Sequence, residues 1–514
     1  MSSKVVVSLM AGSFLSASLA FAQGGIGPIF TGVANAKKDS GHPTTAIASG
    51  YTKKKVVSGT DILENPSGSI TTFGRLSDNT ATEPDQNAYL VLDSNPGGPE
   101  PGFDYGRHFV YQGHENGDDL AYVTRVNLDV KDPAHRITLL TPLGIDGFTH
   151  LNAIDGSTYD PFTKTLFFTE EAGSGGGVFQ LTSKWPAALT TLDGIIGKAG
   201  YEGIHVDDQG NLLLIEDTGG VGVPVDPNDP NSPKVARQPN SFVYRFVPYN
   251  NKDLTQGGKL QALQVSINGN PLIFHADDPE GDVFSFNQVL LHTPGTSYPV
   301  QWVTVHDTAV DGMDSFDANA LAKTALATPL KRPENAAFLP TSHFRTFFVT
   351  VTGDTDAQSG DEVDLAERGA WGSIFRVDLG SDRQSGNISI FVLGDSVHNS
   401  FDNITFADSF QLLTGEDRGN TLHSQLNKLD SVWAYSLNGF VGPLRFIALG
   451  RDATSETEGE DNEPTGVYVS GGGSHSGDMY GTALSLSNAR AFFTQQHGDN
   501  VLYEVSKTFN AKAR

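Results

Sequence analysis

The sequence predicts an all-β protein, a six-bladed β-propeller with long inter-strand loops and a few short helices. Its apolar runs are short and are bounded by turn residues, as where residues 208–211 precede the run at 212–215. Glycine (57 residues) and proline (26) are plentiful, and long segments with a 3.6-residue apolar period are nearly absent. This pattern is typical of many short strands joined by turns.

A repeated unit supports the propeller. Each copy begins with a polar or acidic residue at the start of a first strand. A turn and a second, apolar strand follow, and acidic or polar residues end that second strand. These second strands fall at residues 166–171, 213–217, 346–350, 412–417 and 491–497, with a looser copy ending at 110–115. Four-stranded units of this kind close radially around a channel. The opening residues are Asn152, Glu202, Glu334, Asp402 or Asn403, and Glu463.

The opening residues allow two interpretations. They either converge at one mouth of the channel, which their recurrence in five copies favours, or act as turn-forming residues at solvent-exposed strand starts. If they converge, the carboxylates repel each other and cannot all stay ionised without a cation. Carboxylate and amide oxygens suit calcium, magnesium or manganese. His114 and His497 stand at strand ends of the same repeat, as ligands or as structural side chains.

The N-terminus predicts export. Lys4 precedes an apolar run over residues 5–20 and an A-x-A site at Ala20 to Ala22, the pattern of a signal peptide; the alternative is an uncleaved anchor. We therefore expect a signal peptide over residues 1–22, an N-terminal extension packing on the propeller over 23–84, and a β-propeller domain over 85–514. The expected location is the periplasm or the medium.

Composition excludes several classes of function. The chain has no cysteine, which rules out disulfides, zinc–thiolate sites, iron–sulfur clusters and cysteine nucleophiles. With 34 basic and 60 acidic residues, its formal charge of −26 repels nucleic acid and anionic membranes. No G-x-S-x-G elbow, H-E-x-x-H or P-loop motif occurs. We expect a monomer that neither binds nucleic acid nor inserts into a membrane.

Arg332 stands two residues before Glu334, and residues i and i+2 of an extended strand face the same side. An arginine beside a metal-binding carboxylate suggests a fork for a phosphate oxyanion. A structural salt bridge inside the channel explains the same pair equally well.

An ordered set of motifs resembles the PhoX-type alkaline phosphatases. It comprises Gly113-His114-Glu115, Phe168-Thr169-Glu170-Glu171, residues 241–248 and 258–263, Arg332-Pro333-Glu334, Glu416-Asp417 and Gln495-Gln496-His497. The resemblance implies an extracytoplasmic six-bladed propeller that hydrolyses phosphomonoesters with calcium and iron. It implies that Arg332 contacts phosphate, with Asn152 as a second contact and Thr169 at the catalytic position of a family cysteine. The implied metal ligands are Glu202, Glu334, Glu171, Asp217, Glu416 and Glu463.

The chain also departs from the family. The family cysteine that bridges the irons is Thr169 here, and a hydroxyl is a poor iron ligand beside a thiolate. The twin-arginine export signal and an upstream Pro-Trp are missing as well. The expected cofactor is therefore calcium, with iron left open. We expect metal-dependent hydrolysis of a small phosphorylated substrate, and the alternatives are a non-catalytic calcium-stabilised binding propeller or a calcium-dependent lactonase-like hydrolase.

Overall fold

The computed structural model describes residues 25–34, 45–439, 441–450, 463–470, 489–497 and 499–508, and the expected signal peptide lies outside them. The strands are β1 (Ala46–Ile47), β2 (Tyr51–Val57), β3 (Glu83–Val91), β4 (His108–Glu115), β5 (Tyr122–Asn127), β6 (Ile137–Leu139), β7 (Ile154–Asp160), β8 (Thr165–Glu170), β9 (Val178–Thr182), β10 (Leu189–Thr191), β11 (Tyr201–Val206), β12 (Leu212–Glu216), β13 (Gly222–Val223), β14 (Ala236–Arg237), β15 (Val243–Pro248), β16 (Gly258–Ile267), β17 (Asn270–Pro271), β18 (Tyr298–Asp307), β19 (Pro333–Phe338), β20 (Thr346–Val351), β21 (Ser373–Leu379), β22 (Ser385–Leu393), β23 (Phe401–Asp408), β24 (Gln411–Glu416), β25 (Ser431–Ser436), β26 (Leu444–Ala448), β27 (Pro464–Val469), β28 (Ala491–Gln495) and β29 (Val501–Lys507).

The helices are few and short, as the sequence predicted. They are α1 (Pro279–Val283), α2 (Phe286–Leu291), α3 (Thr308–Asp311), α4 (Ala318–Thr324), α5 (Ala357–Gly360), α6 (Val363–Ala366) and α7 (Gly419–Leu426), with 3₁₀ turns at Pro133–His135, Gly173–Gly175 and Leu254–Gln256. Within the described residues, no helix combines the length and the apolar character needed to cross a membrane. The fold is therefore mostly β, and its helices lie in the connections between strands.

The described strands form four separate sheets of blade size. Their strand orders are β3-β4-β5-β6, β7-β8-β9-β10, β23-β24-β25-β26-β1 and β27-β28-β29-β2, and every pairing is antiparallel. The prediction of six separate blades is wrong. In place of two further blades, one ten-stranded sheet runs from β11 to β19. The two halves are joined because the long strand β18 pairs with β16 on one side and with β22 on the other.

The first strands of the repeated units surround one axis. In the described part of the chain, β3 contacts β7, β7 contacts β11, β11 contacts β19, β19 contacts β23, β23 contacts β27, and β27 contacts β3. These six inner strands therefore form a closed ring in which β3 and β19 stand opposite each other. This ring is the arrangement that the opening residues of the repeated units need if they are to converge at one mouth of the channel.

The N-terminal segment completes sheets that the C-terminal strands begin. β2 pairs along its length with β29, the last described strand, and β1 pairs with β26. These hydrogen bonds tie the two ends of the described chain together. The assignment of residues 23–84 to an extension of their own stays a prediction.

Apolar side chains pack between neighbouring sheets and hold the ring together. Phe348 on β20 is fully buried and contacts Phe391 on β22 and Phe406 on β23, with ring centroids 5.0 and 5.8 Å apart. Phe406 belongs to the adjacent sheet, so this cluster joins two sheets across their interface. Close-packed aromatic contacts of this kind stabilise the ring without hydrogen bonds between those sheets.

Replacing Phe348 tests this packing. We expect Phe348→Ala to lower the free energy of unfolding by about 3–5 kcal/mol, because it removes buried area and leaves a cavity between two sheets. Phe286→Ala serves as the control, since that side chain is 67% exposed and its loss is expected to change stability by less than about 0.5 kcal/mol. Equal destabilisation of the two variants in denaturant titrations would contradict the interpretation.

Candidate metal centre at the channel mouth

Each of the six inner strands in the described chain carries an irregularity near its start. The pairing register with the second strand shifts between Pro84 and Asn87 in β3, and shifts at the corresponding place in the other five inner strands. Such a bulge inserts one residue and re-aims its side chain. The residues at the bulge are Asp85, Asp155, Glu202, Glu334 and Asp402, with Gly466 in the sixth strand. The same bulge, repeated in five inner strands, thus points five carboxylates into the channel.

A second set of carboxylates comes from the ends of the neighbouring strands. Glu115 is the last residue of β4, and Glu171 and Asp417 follow directly after β8 and β24. Both sets meet in a cavity of about 210 Å³ at the channel mouth. Its lining residues are Glu83, Asp85, Glu115, Asp155, Glu171, Glu202, Arg332, Glu334, Asp402, Asp417, Glu463, Gln496 and His497.

Three groups of side chains in this region have the geometry to hold metal ions. Within each group, one oxygen of every member lies within 4.8 Å of the others. The groups share Asp155 and Glu202, so they form one continuous arc from β3 to β19. Oxygen-only donor sets suit hard cations such as calcium or magnesium. The groups are Asp85, Glu115 and Asp155; Asp155, Glu171 and Glu202; and Glu202, Asp217 and Glu334.

The electrostatics of the cavity disfavour ionised carboxylates. Burial, with the neighbouring Glu83 and Asp417 carboxylates, raises the pKa of Glu115 to about 8. Burial, with the Asp217 carboxylate, likewise raises the pKa of Glu334 to about 8. Burial also raises the pKa values of Asp85, Asp155, Glu171, Glu202 and Glu463 well above the usual range.

Three buried oxygens need a cation or a proton. Among the described residues of this region, Asp155 Oδ1, Asp217 Oδ1 and Asp402 Oδ1 are buried without a hydrogen-bond partner. Buried carboxylate oxygens without partners are strongly unfavourable unless a cation or a proton satisfies them. The oxygens of Asp155 and Asp217 belong to residues of the three groups, and that of Asp402 lies outside them. The donor set therefore fits one or more hard divalent cations.

Arg332 is the one arginine among the described residues that line this cavity. Its Nε donates to Asp217 Oδ2 at 2.8 Å, and its Nη2 lies 3.5 Å from Glu334 Oε1. Burial disfavours the charged guanidinium, but the Asp217 and Glu334 carboxylates outweigh it and raise the pKa of Arg332. Its side chain is 23% exposed. The salt bridge envisaged from the sequence is present, and it fixes the guanidinium at the cavity wall.

Most of the sequence-predicted site residues meet here. Glu202, Glu334, Glu171 and Glu463 line the cavity, and Asp217 belongs to the third group. Their assignment as metal ligands stays a prediction. The sequence pattern did not single out Asp85, Glu115 or Asp155 as ligand candidates, although Glu115 ends one of the motifs that resemble the PhoX-type phosphatases. A bulge is not visible in the sequence, but an acidic residue near each strand start was the signal that could have found Asp85 and Asp155.

Glu416 is placed away from the cavity. It is fully buried and its Oε1 lies 2.5 Å from Arg418 Nη2, whereas the next residue, Asp417, lines the cavity. Successive side chains at a strand end point to opposite sides, so only one of two adjacent carboxylates can face the channel. Glu216 behaves in the same way, because it accepts a hydrogen bond from the Tyr244 hydroxyl at 2.8 Å behind the wall.

Asn152 is likewise absent from the cavity lining. Its side-chain amide donates to Asp119 Oδ1 at 2.8 Å, and its Oδ1 accepts from the Asp119 backbone N–H at 2.9 Å. These bonds hold Asn152 in the loop before β7. Three residues later, Asp155 occupies the bulge and faces the channel.

The two histidines differ in their surroundings. His114 is fully buried, its Nε2 lies 2.8 Å from the Thr124 hydroxyl, and its ring stacks on Tyr122 with centroids 4.3 Å apart. His114 is therefore a packed structural residue. His497 lines the cavity, where its Nδ1 lies 3.7 Å from Glu83 Oε1.

Thr169 is not among the residues that line the cavity. It is fully buried, and its hydroxyl donates to the backbone carbonyl of Glu202 at 2.6 Å. This bond supports the strand segment that carries a candidate ligand. A chain with no cysteine cannot supply a bridging thiolate, and the Thr169 hydroxyl is engaged with the backbone. The residues present therefore do not fit a thiolate-bridged iron centre.

The raised pKa values predict how stability depends on pH. A carboxyl group whose folded pKa is raised keeps its proton where the unfolded chain has lost it. Its stabilising contribution is therefore complete below about pH 4.5 and is lost as the pH rises through about 8, the value for Glu115 and Glu334. We expect the melting temperature of chelator-treated protein to fall across this range. Calcium should oppose the fall, because deprotonated ligands bind it more tightly.

Glu334→Gln is the matched variant for this experiment, since it keeps the shape of the side chain and removes one titrating group. Its chelator-treated form should lose less stability between pH 5 and pH 8 than the wild-type protein. A melting temperature of chelator-treated wild-type protein that stays constant or rises over this range would contradict the argument.

Thr169 generates a separate prediction. Thr169→Val leaves the Glu202 carbonyl without its donor and should lower the free energy of unfolding by about 1–3 kcal/mol. Elemental analysis should find the bound metal unchanged, because the hydroxyl is not a ligand. The exposed Thr324→Val is the control for loss of a hydroxyl. Loss of a stoichiometric metal from Thr169→Val at unchanged stability would assign the hydroxyl to the metal instead.

Known proteins resemble this chain in sequence and in fold. The family model for alkaline phosphatase PhoX matches residues 234–475, which include Arg332, Glu334, Asp402 and Glu463. Pseudomonas fluorescens PhoX, solved in complex with the transition state analogue vanadate, aligns with a TM-score of 0.56 and 12% identity over 93% of this chain and 98% of its own. At that identity the alignment shows a shared β-propeller fold.

More distant structures and the curated proteins add little. A gluconolactonase from Xanthomonas campestris aligns with a TM-score of 0.38 and 12% identity over 93% of this chain and 100% of its own. TolB from Acinetobacter baumannii aligns with a TM-score of 0.29 and 10% identity over 82% and 63% of the two chains. No curated protein matches the sequence. The resemblance drawn from the sequence motifs is nevertheless confirmed by the family match and the shared fold: this chain is similar to the alkaline phosphatases of the PhoX family.

Proposed function

We propose that this protein is an exported, calcium-dependent phosphomonoester hydrolase of the PhoX type, acting on small phosphorylated substrates at the channel mouth. The observation that carries the proposal is a cavity walled by carboxylates with Arg332 fixed among them. Similarity to the PhoX family supports phosphatase activity. Export rests on the signal-peptide pattern of residues 1–22.

The carboxylate arc would hold the cations. The three groups between β3 and β19 supply their ligands, and the bound cations would neutralise phosphate charge and polarise its oxygens. From the same wall of the cavity, the Arg332 guanidinium would donate hydrogen bonds to a phosphoryl oxygen. Because Asp217 and Glu334 already orient the guanidinium, little reorganisation is needed as charge develops in the transition state.

The opposite arc of the cavity has a different role in the proposal. Asp402 and Glu463 lie outside the three groups and are close enough to share a hydrogen bond. The deprotonated member of this pair would accept a proton from the attacking water as the water oxygen bonds to phosphorus, and the protonated member would donate its proton to the alcohol oxygen as the phosphorus–oxygen bond breaks. The cavity of about 210 Å³ holds only a handful of water-sized groups. The phosphoryl group would enter, and the alcohol part would stay at the rim, which favours a broad range of small esters.

A p-nitrophenyl phosphate assay tests this proposal. We expect turnover that chelation abolishes, calcium restores and vanadate inhibits. Arg332→Ala should lower kcat/KM by about 10²- to 10³-fold, because it removes a donor used in the transition state. Arg383→Ala is the control, since Arg383 pairs with Asp207 and Asp208 outside the cavity. Turnover that survives Arg332→Ala unchanged would remove Arg332 from the mechanism.

A non-catalytic, calcium-stabilised binding propeller is the second candidate. It is favoured by Thr169, which replaces the cysteine of the family and is engaged with the backbone. This candidate predicts bound calcium and calcium-dependent melting without hydrolysis of any phosphoester. Elemental analysis together with the p-nitrophenyl phosphate assay separates the two candidates. The lactonase-like alternative has no observation of its own in the cavity.

A further inference from the structure

We propose that the buried ion pair between Lys331 and Asp354 is a positioning device that holds Arg332 in its cavity-facing conformation and thereby sets the affinity for phosphate. This inference rests on the proposed function, because it gives Arg332 a phosphate to bind. Lys331 and Asp354 do not line the cavity themselves. Their effect on phosphate would therefore pass through Arg332.

The backbone of Arg332 is in an unusual conformation. Its φ angle is +55°, in the left-handed region that residues with a side chain rarely adopt. Such a conformation persists only where surrounding contacts determine it, and it clusters at functional sites. The Arg332 carbonyl accepts a hydrogen bond from the Thr352 backbone N–H at 2.9 Å. The Thr352 hydroxyl also donates to Glu334, so the residue directly after β20 holds both Arg332 and Glu334.

The ion pair fixes the residue that precedes Arg332. Lys331 Nζ lies 3.0 Å from Asp354 Oδ1 and 3.3 Å from Asp354 Oδ2, and the two side chains are 5% and 0% exposed. Arg332 is anchored separately, by Asp217. With adjacent side chains held by different partners, the backbone between them has little freedom. Burying two charges carries a large desolvation penalty. The pair is therefore better explained by the backbone geometry that it imposes than by the stability that it adds.

Asp354 connects this anchor to the loops around it. Its Oδ1 accepts a hydrogen bond from the Arg237 backbone N–H at 2.8 Å, and its own N–H donates to the Ala370 carbonyl at 2.9 Å. These loops share a small apolar cluster of their own, formed by Val223, Ala236, Val283, Leu365 and Ala370. The pair therefore transmits the rigidity of a packed loop cluster to the arginine at the cavity wall.

The test uses calcium-loaded full-length protein and two readouts, orthophosphate binding by calorimetry and kcat/KM with p-nitrophenyl phosphate. Lys331→Met and Asp354→Asn should each weaken orthophosphate binding and lower kcat/KM by about tenfold or more, as expected for a displaced binding group. Lys331→Arg keeps the charge and should lose less. In an Arg332→Ala background, Lys331→Met should change orthophosphate binding by less than about twofold, because the group through which it acts is gone.

Asp207→Asn is the matched control, since Asp207 is a largely buried carboxylate paired with Arg383 outside the cavity. It should lower the melting temperature without weakening orthophosphate binding. The proposal is overturned if Lys331→Met and Asp354→Asn behave like this control, or if Lys331→Met has an undiminished effect in the Arg332→Ala background. A wild-type protein that binds orthophosphate without turnover overturns hydrolysis alone, and the binding data still decide the role of Lys331. A wild-type protein that binds no orthophosphate overturns both.

Discussion

The mutual repulsion of buried carboxylates is the constraint on which this structure depends. Ten acidic residues line a cavity of about 210 Å³, and burial raises the pKa of most of them. Protons or cations must compensate these charges for the inner strands to stay together. The ring therefore has two ways to be neutral, and the pH together with the concentration of cations decides between them.

The ring also explains why the site tolerates such crowding. Each carboxylate at a bulge is held by a strand that pairs on one side and packs against two neighbouring inner strands. Behind the wall, Glu216 and Glu416 are bound by buried donors, the Tyr244 hydroxyl and the Arg418 guanidinium. These outward-facing partners fix the strand ends whose next residues, Asp217 and Asp417, face inward. The scaffold thus supplies the rigidity that a set of repelling groups cannot supply.

The sequence predicted features that follow from a repeated residue type. It did not predict features that depend on backbone geometry, such as the direction of a side chain or the pairing of a strand. It singled out Glu202 and Glu334, which line the cavity, because an acidic residue recurs at the start of inner strands. It predicted Glu416 and not Asp417 as a metal ligand, because the sequence does not show which of two adjacent carboxylates points into the channel. The pairs Glu170-Glu171 and Glu216-Asp217 already favoured the second member, so a consistent alignment of the repeats would have selected Asp417. The prediction of six separate blades was wrong because nothing in the sequence shows that β18 pairs on both of its edges.

The pairing of β2 with β29 has a consequence for how the protein matures. The inner ring draws its strands from nearly the whole chain, and its last sheet is completed by a strand from the N-terminal side. Completion of that last sheet thus requires contacts between residues more than 400 positions apart, which makes it a late step dominated by loop-closure entropy. The cavity around the carboxylate arc is complete only in the closed ring, because Asp402, Asp417 and Glu463 come from later in the chain than the arc itself. A partial chain that ends before β23 would therefore carry the arc without the wall that encloses it, and full enclosure of a cation would follow the folding of β23 and β27.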